Sequence, residues 1–160
     1  MAAPIERLAD VLREINLRRR RGGRPDDAAI ARERLVEERF GASHHLAVYG
    51  SLAPGEVNHH AVADIAGTWH VAAVRGVVYR LPWVDGNEYP GIVLTESGRP
   101  VEVQVLSSPA LPDHWARLDA FEGGSYYRAL ALVRTRDDLE ALANIYELHR
   151  QPEPGQALWE

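Results

Sequence analysis

Apolar residues in the first forty positions recur at the spacing of amphipathic helices. Four of them, spaced three, four and three residues apart, form one stripe of a helix: Ile5, Leu8, Leu12 and Ile15. Gly22 and Gly23 end this pattern, and a second helical stretch begins near Asp26 and runs to about Phe40. We therefore expect a helical hairpin that packs on the rest of the chain or on a second subunit.

From residue 46 onward the apolar pattern changes to the short runs typical of β-strands. Strands are predicted at 46–50, 68–80, 91–96, 101–108, 126–135 and 141–148. A short helix is predicted at 57–65. Pro112 opens another helix, in which the spacing of Leu118 and Phe121 points both side chains into the core. Strands and short helices that do not alternate regularly indicate an α+β fold and not a doubly wound sheet.

Charge supports a division of the chain near Phe40. Residues 1–40 carry ten arginines and eight acids, a net charge of +2, whereas residues 41–160 carry eight arginines and fifteen acids, a net charge of −7. A length of 160 residues suits one domain with an appendage. We therefore predict an N-terminal helical extension at 1–40 and a main domain at 41–160.

Two missing residue types restrict the chemistry. The sequence contains no cysteine and no lysine, which excludes thiolate nucleophiles, Cys-ligated metals, Schiff-base lysines and the Walker A lysine. The net charge of −5 argues against general nucleic-acid binding. Without an export signal or an apolar run long enough to cross a bilayer, we expect a cytoplasmic protein that does not bind membranes. Arginine-only basic usage and abundant alanine suggest a GC-rich bacterial genome.

The segment VYGSLAPGEVN, residues 48–58, is a candidate anion-binding loop. A strand delivers Tyr49 to a tight turn at Gly50 and Ser51, where consecutive backbone N–H groups can form a cradle for a carboxylate or phosphate. A plain turn accounts equally well for the pattern. Ser51 is not expected to be a nucleophile, because the second glycine of a G-x-S-x-G elbow is absent.

The segment LDAFEGGSYYR, residues 118–128, places Glu122 at the end of a helix. Burial beside the apolar face would raise the pKa of this carboxyl and suit it to proton transfer near neutrality. The alternative is an exposed glutamate at the helix end, followed by a glycine cap. Two adjacent histidine pairs, at 44–45 and 59–60, could form a metal site only if the pairs met, and no metal is predicted.

Taken in order, VYGSLAPGEVN, YPGIV and LDAFEGGSYYR resemble the γ-glutamylcyclotransferase-like family, also called AIG2-like, over roughly residues 46–150. The resemblance implies a small mixed β-barrel with flanking helices and a cavity at one end. It implies that Glu122 is the catalytic acid and base, and that the backbone of the loop binds the α-carboxylate of a γ-glutamyl group. The residues to which it assigns substrate binding, pocket walls or loop support are Tyr49, Gly50, Ser51, Leu52, Asn58, Tyr126, Tyr127 and Arg128.

The activity implied by this resemblance is cyclisation of a γ-glutamyl amine or peptide to 5-oxoproline, with release of the amine. This reaction needs no cofactor, and the implied partner is a small γ-glutamyl substrate. Two alternatives are a non-catalytic domain that binds a small anion, and an amide-cleaving enzyme that uses the same site for another substrate. A homodimer through the N-terminal helices is a further expectation. The sequence does not indicate the leaving amine.

Overall fold

The computed structural model of the protein describes residues 8–82, 85–155 and 158. Its helices are α1 (Leu8–Arg21), α2 (Asp27–Phe40) and α3 (Trp115–Glu122). Its strands are β1 (His45–Val48), β2 (Thr68–Pro82), β3 (Glu88–Leu94), β4 (Arg99–Ser107), β5 (Tyr126–Thr135) and β6 (Glu140–Leu148). Short 3-10 turns occupy 42–44, 59–61 and 111–113. No helix of the described residues is long and apolar enough to cross a membrane.

Five of the strands close into a ring in the order β1, β4, β2, β3, β6 and back to β1. The extra strand β5 pairs with β6 along its whole length and touches β2 at one end. Strand β6 is parallel to β1 and β3, and the other pairs are antiparallel. The predicted α+β fold with a small mixed barrel is therefore confirmed.

Alternation along the strands separates two apolar cores. On β1, Leu46 and Val48 pack with Leu118 of α3, whereas Ala47 faces the other way and packs with strand residues of the barrel. Successive side chains of a strand point to opposite faces, so a buried β1 contributes to both cores. Helix α3 is thereby fixed against the end of β1, where the candidate loop begins.

Side chains join β3 and β6 where these strands pair only at Ile92 and Glu147. The Tyr49 hydroxyl accepts a hydrogen bond from the Ile92 N–H at 3.2 Å and donates one to the Tyr146 carbonyl at 2.6 Å. One oxygen of the Glu147 carboxylate accepts from the Leu94 N–H at 2.6 Å. A phenol and a carboxylate therefore replace the missing backbone hydrogen bonds at the junction that we call the β3–β6 seam.

Helix α1 covers the backbone of β5 on the side away from β6. The Asn16 side-chain amide donates to the Leu130 carbonyl at 2.8 Å and accepts from the Leu130 N–H at 2.7 Å, as a neighbouring strand would. Arg19 donates to the Arg128 carbonyl at 3.2 Å. The same interface has a small apolar core that consists of Leu12, Ile15, Val36, Ala42, Leu130 and Leu142.

Helix α1 also supplies the charge that faces a buried acid of the barrel. Glu147 is 3% exposed and accepts from Arg20 at 3.1 Å and from the Tyr127 hydroxyl. The neighbouring Arg18 donates to the Gly22 carbonyl at 2.9 Å. Three of the four consecutive arginines, Arg18, Arg19 and Arg20, thus bond within the protein.

One predicted element is wrong. In place of a helix at 57–65, the structure has a 3-10 turn at 59–61 flanked by further turns. Most backbone bonds there span three residues, as from Ala61 N–H to the Asn58 carbonyl at 3.0 Å. The Asn58 N–H donates to the Ser51 carbonyl at 2.8 Å, which ties the segment to the preceding loop.

Candidate active site

A cavity of about 230 Å³ opens at the end of the barrel where β1 and α3 end. Its walls come from five parts of the chain: the end of β1 with the loop after it, the β2–β3 loop, the start of β3, the end of α3, and two tyrosines of β5 and β6. Two lining residues, Ala47 and Val48, belong to β1. The others are Tyr49, Gly50, Ser51, Leu52, Asn58, Asp85, Tyr89, Pro90, Phe121, Glu122, Tyr126 and Tyr146.

Two hydrogen bonds from Asn58 to Ser51 fix the loop after β1. The Asn58 side-chain amide donates to the Ser51 hydroxyl oxygen at 2.9 Å, and its backbone N–H donates to the Ser51 carbonyl. Within the described part of the chain, the backbone N–H groups of Gly50, Ser51 and Leu52 donate to no protein acceptor. Three successive free donors in a cavity wall are the elements of an anion cradle.

Gly50 lies against the opposite wall of the cavity. A Cβ atom at this position would stand 2.6 Å from Cγ of Pro90, which is too close for any side chain. The glycine therefore allows the loop to approach the start of β3. This contact connects two of the three sequence motifs, the loop and the YPGIV strand.

Glu122 is the last residue of α3. Gly123 follows at φ 72° and donates its N–H to the Asp119 carbonyl at 3.1 Å, so the glycine cap expected after the helix is present. The carboxyl group lines the cavity, and no described residue donates a hydrogen bond to it. Burial raises the pKa of Glu122 to about 7. The alternative of an exposed glutamate at this helix end is wrong.

Four tyrosines line the cavity, and the hydroxyl protons of Tyr49, Tyr126 and Tyr146 have acceptors elsewhere in the protein. Tyr49 donates to the Tyr146 carbonyl, Tyr126 donates to the Pro90 carbonyl at 3.0 Å, and Tyr146 donates to the Asp119 carboxylate at 2.7 Å. Burial raises the pKa of Tyr49 well above its ordinary value. Burial likewise raises the pKa of Tyr146. Tyr49 and Tyr146 therefore remain neutral near pH 7, and the three hydroxyl groups present oxygen atoms rather than free protons to the cavity.

Two residues with predicted site roles, Tyr127 and Arg128, do not line this cavity. They border a separate cavity of about 450 Å³ between the hairpin and the barrel. Arg128 donates to the Asp119 carboxylate at 3.0 and 3.3 Å, and its guanidinium lies 4.5 Å from the centre of the Trp115 ring. Arg128 thus contacts the first residue and the middle of α3, and the Tyr127 hydroxyl donates to the buried Glu147.

Phe121 corrects another prediction. It is 44% exposed and lines the cavity, whereas Leu118 is fully buried as expected. At the last turn of α3 the barrel no longer covers this face of the helix, so the aromatic side chain reaches the opening instead of the core. Its ring meets His60 edge to face at a centroid distance of 6.2 Å.

Sequence reasoning did not identify three polar residues of the cavity wall, Asp85, Tyr89 and Tyr146. Asp85 accepts from the Asn87 N–H at 2.9 Å and from the Tyr89 hydroxyl at 3.3 Å, and chiefly the former bond lowers the pKa of Asp85. Tyr146 sits in an apolar strand whose pattern gives no sign of a cavity. In the described residues no three His, Asp or Glu side chains are arranged to hold a metal ion.

The chain resembles known proteins over the part that forms the barrel and the cavity. A sequence model of the family described as gamma-glutamyl cyclotransferase, AIG2-like, matches residues 46–160. No curated protein sequence matches the chain.

Solved structures resemble the barrel part of the chain. A solution structure of an Arabidopsis thaliana protein is 26% identical, with a TM-score of 0.56 over 71% of this chain and 73% of that one. YkqA from Bacillus subtilis is 24% identical (TM-score 0.53; 72% of this chain, 37% of YkqA). An AIG2-like protein from Mus musculus is 20% identical (TM-score 0.52; 68% and 80%). The last two likenesses establish the fold alone.

Proposed function

The chain belongs to the gamma-glutamyl cyclotransferase, AIG2-like family, and on this premise we propose that it cyclises a γ-glutamyl amine or γ-glutamyl peptide to 5-oxoproline and releases the attached amine. One observation carries the proposal. The carboxyl of Glu122, to which no described residue donates, lines the same cavity as the free N–H groups of Gly50, Ser51 and Leu52. The first can move a proton, and the others can hold the substrate carboxylate.

The reaction uses the substrate's own α-amine as the nucleophile. The Glu122 carboxylate takes a proton from the α-ammonium, and the freed amine attacks the γ-carbonyl carbon to form the new C–N bond of a five-membered ring. The protonated Glu122 then gives its proton to the nitrogen of the attached amine as the old C–N bond breaks. Glu122 returns to its ionised state. The ring nitrogen passes the one further proton that the lactam does not keep to the released amine, so the products are 5-oxoproline and the protonated amine.

Binding geometry and proton transfer each contribute to the rate. Ring closure is intramolecular, and well-oriented reactions of this kind reach effective molarities of about 10⁵ M or more. The backbone N–H groups at 50–52 would hold the α-carboxylate and fold the substrate chain toward ring closure. Proton transfer through a positioned carboxyl typically adds about 10²- to 10⁴-fold.

The pKa of Glu122, raised by burial to about 7, fits a group that is both base and acid. A lower pKa would weaken it as a base, and a much higher one would keep it protonated in the free enzyme. We expect kcat/KM to fall as the pH drops below about 7, because the base is then protonated.

The direct test is to incubate the purified protein with a panel of γ-glutamyl amines and γ-glutamyl peptides and to measure 5-oxoproline. We expect product from the wild type and at least a 100-fold loss for Glu122→Gln, the scale of general acid–base catalysis. Glu102→Gln, an exposed glutamate of β4, is the matched control and should retain full activity.

A silent wild type would overturn the catalytic proposal. If a γ-glutamyl compound then raised the melting temperature of both the wild type and Glu122→Gln, the protein would be a binding domain for a small carboxylate. In that case the amides at 50–52 would account for the affinity without Glu122.

A further inference from the structure

We propose that Asp119 is a positioning residue of this site: by accepting the single proton of the Tyr146 hydroxyl, it prevents that hydroxyl from bonding to Glu122 and leaves the Glu122 carboxyl free to exchange protons with a ligand. The inference rests on the proposed function for its catalytic meaning. The structural part of the inference depends only on how the Tyr146 hydroxyl chooses between Asp119 and Glu122.

The geometry around Asp119 is specific. Its Oδ1 accepts from the Tyr146 hydroxyl at 2.7 Å and from Arg128 Nε at 3.0 Å, and its Oδ2 accepts from an Arg128 terminal nitrogen at 3.3 Å. Arg128 also stacks on Trp115 in the first turn of α3. Asp119 is therefore held at a fixed place, three residues before Glu122 on the same helix.

Tyr146 and Glu122 meet at the same cavity, and the negative charge of Glu122 disfavours ionisation of the Tyr146 phenol. Burial raises the pKa of Tyr146, and the bond to Asp119, the Asp119 charge and the Glu122 charge add to the rise. Both side chains line the cavity. A phenol has one proton, so a hydroxyl that donates to Asp119 has none for Glu122.

The consequence concerns proton exchange at Glu122. A donor bonded to a carboxylate favours the ionised form and lowers its pKa. With the protons of Tyr49 and Tyr126 also given to carbonyl oxygens, Glu122 keeps the pKa of about 7 that burial produces. The titratable and charged groups that line the cavity with Glu122, or contact its lining residues, are Tyr49, His60, Asp85, Tyr89, Asp119, Tyr126, Arg128 and Tyr146.

The test titrates Glu122 by carbon NMR of its side-chain carboxyl, with Glu122→Gln identifying the resonance. In Asp119→Ala the Tyr146 hydroxyl loses its acceptor and turns to Glu122, so we expect the pKa of Glu122 to fall by about one unit or more. Asp119→Asn removes the charge but retains an acceptor oxygen, and the pKa should stay near 7. The acid limb of the kcat/KM profile should shift with the titration.

The double variant Asp119→Ala with Tyr146→Phe separates the hydrogen bond from other effects. Without the hydroxyl, removal of Asp119 should no longer lower the pKa of Glu122. A fall of equal size in the single and double variants would overturn the proposal, and so would an unchanged pKa in Asp119→Ala.

A measurement on the wild type covers variants that fail to fold. The hydroxyl proton of Tyr146 should show a nuclear Overhauser contact to Asp119 and keep its position while Glu122 titrates. A large shift that follows Glu122 would overturn the proposal. These NMR measurements need no substrate. Their outcome therefore tests the role of Asp119 separately from the proposed cyclotransferase activity, and either proposal can fail without the other.

Discussion

At the scale of the residue, the pKa of Glu122 is set by burial and not by hydrogen bonds to its carboxyl. Burial raises its pKa, and the nearby phenols give their protons to other acceptors. Burial is therefore not compensated by hydrogen bonds. A group in this state is costly for folding when it is ionised, and it is ready to exchange a proton.

The cost is measurable as a pH-dependent stability difference between the wild type and Glu122→Gln. The pKa of Glu122 is about 7 in the folded state, above its ordinary value of 4.5, so between these values the folded state binds more protons than the unfolded state. The wild type's free energy of unfolding therefore loses the contribution of this group as the pH rises from 4.5 to 7.

We expect Glu122→Gln to be more stable than the wild type at pH 8, on the order of 2 kcal/mol, with little difference at pH 5. Urea unfolding at the two pH values measures this. Glu102→Gln, which changes an exposed carboxylate, should show no such pH dependence. Equal stabilities of wild type and Glu122→Gln at pH 8 would mean that Glu122 is not desolvated.

The sequence could identify Glu122 as a candidate site residue, but it could not identify the residues that surround Glu122 in the fold. Its place between Phe121 and Gly123 marks a helix end beside an apolar face, and that signal is local. Tyr146 is 24 residues away, on a strand with a continuous apolar pattern, and only the tertiary fold brings its hydroxyl to Asp119. Tyr127 and Arg128 follow Tyr126 directly, yet they lie outside the main cavity because they face the hairpin.

At the scale of the element, the β3–β6 seam depends on side chains. Only one residue pair joins the two strands, and the Tyr49 hydroxyl connects the Ile92 N–H with the Tyr146 carbonyl. This residue was expected to bind substrate. Its hydroxyl holds the barrel closed, while the loop that follows it forms the cavity wall.

Tyr49→Phe should therefore destabilise the barrel. Removal of the hydroxyl leaves two buried backbone groups without partners, each of which costs about 1–3 kcal/mol. Tyr126→Phe is the comparison, because it removes a bond to the Pro90 carbonyl instead of the bonds at the β3–β6 seam. Denaturant unfolding should show a larger loss for Tyr49→Phe, and an equal or smaller loss would mean that the seam does not need the phenol.

Helix α1 completes the sheet at its β5 edge. Asn16→Ala removes both bonds to the Leu130 backbone, and we expect a loss of about 1–3 kcal/mol and faster hydrogen exchange of the Leu130 amide. Leu17→Ala, at an exposed position one residue away, serves as the control. Unchanged exchange at Leu130 in Asn16→Ala would show that water replaces the asparagine without cost.

At the scale of the whole molecule, the pattern of apolar residues predicted most elements but not how they close. Strand β5 begins and ends where predicted, at Tyr126 and Thr135, because its alternation is clear. Closure depends on β1 meeting β6 through Leu46 and Asn144, almost a hundred residues apart, and no local pattern reports such a pairing. The barrel was expected only through the family resemblance.

The hairpin and the barrel share a charge pair in which Glu147 is buried and Arg20 is 34% exposed, so we expect a chain that begins at residue 41 to be less stable than the full chain. Without Arg20, the nearly inaccessible Glu147 has lost its cationic partner, and a buried carboxylate without an opposite charge destabilises the folded state. Thermal unfolding of the two chains measures the difference.

Glu147→Gln in the shortened chain tests the cause. Neutralising the buried acid should recover part of the lost melting temperature, while the same change in the full chain should lower it. Equal melting temperatures of the full and shortened chains would show that 41–160 is independent of the helices.

The pairing of Arg20 with Glu147 has a consequence for descent. A lineage that lost the two helices would inherit an acid inside its barrel with no opposite charge, so the helices and the acid should be gained and lost together. Among homologous genes, those without the helical leader should encode a neutral residue where this strand carries Glu147, and the two traits should follow the same branches of the tree.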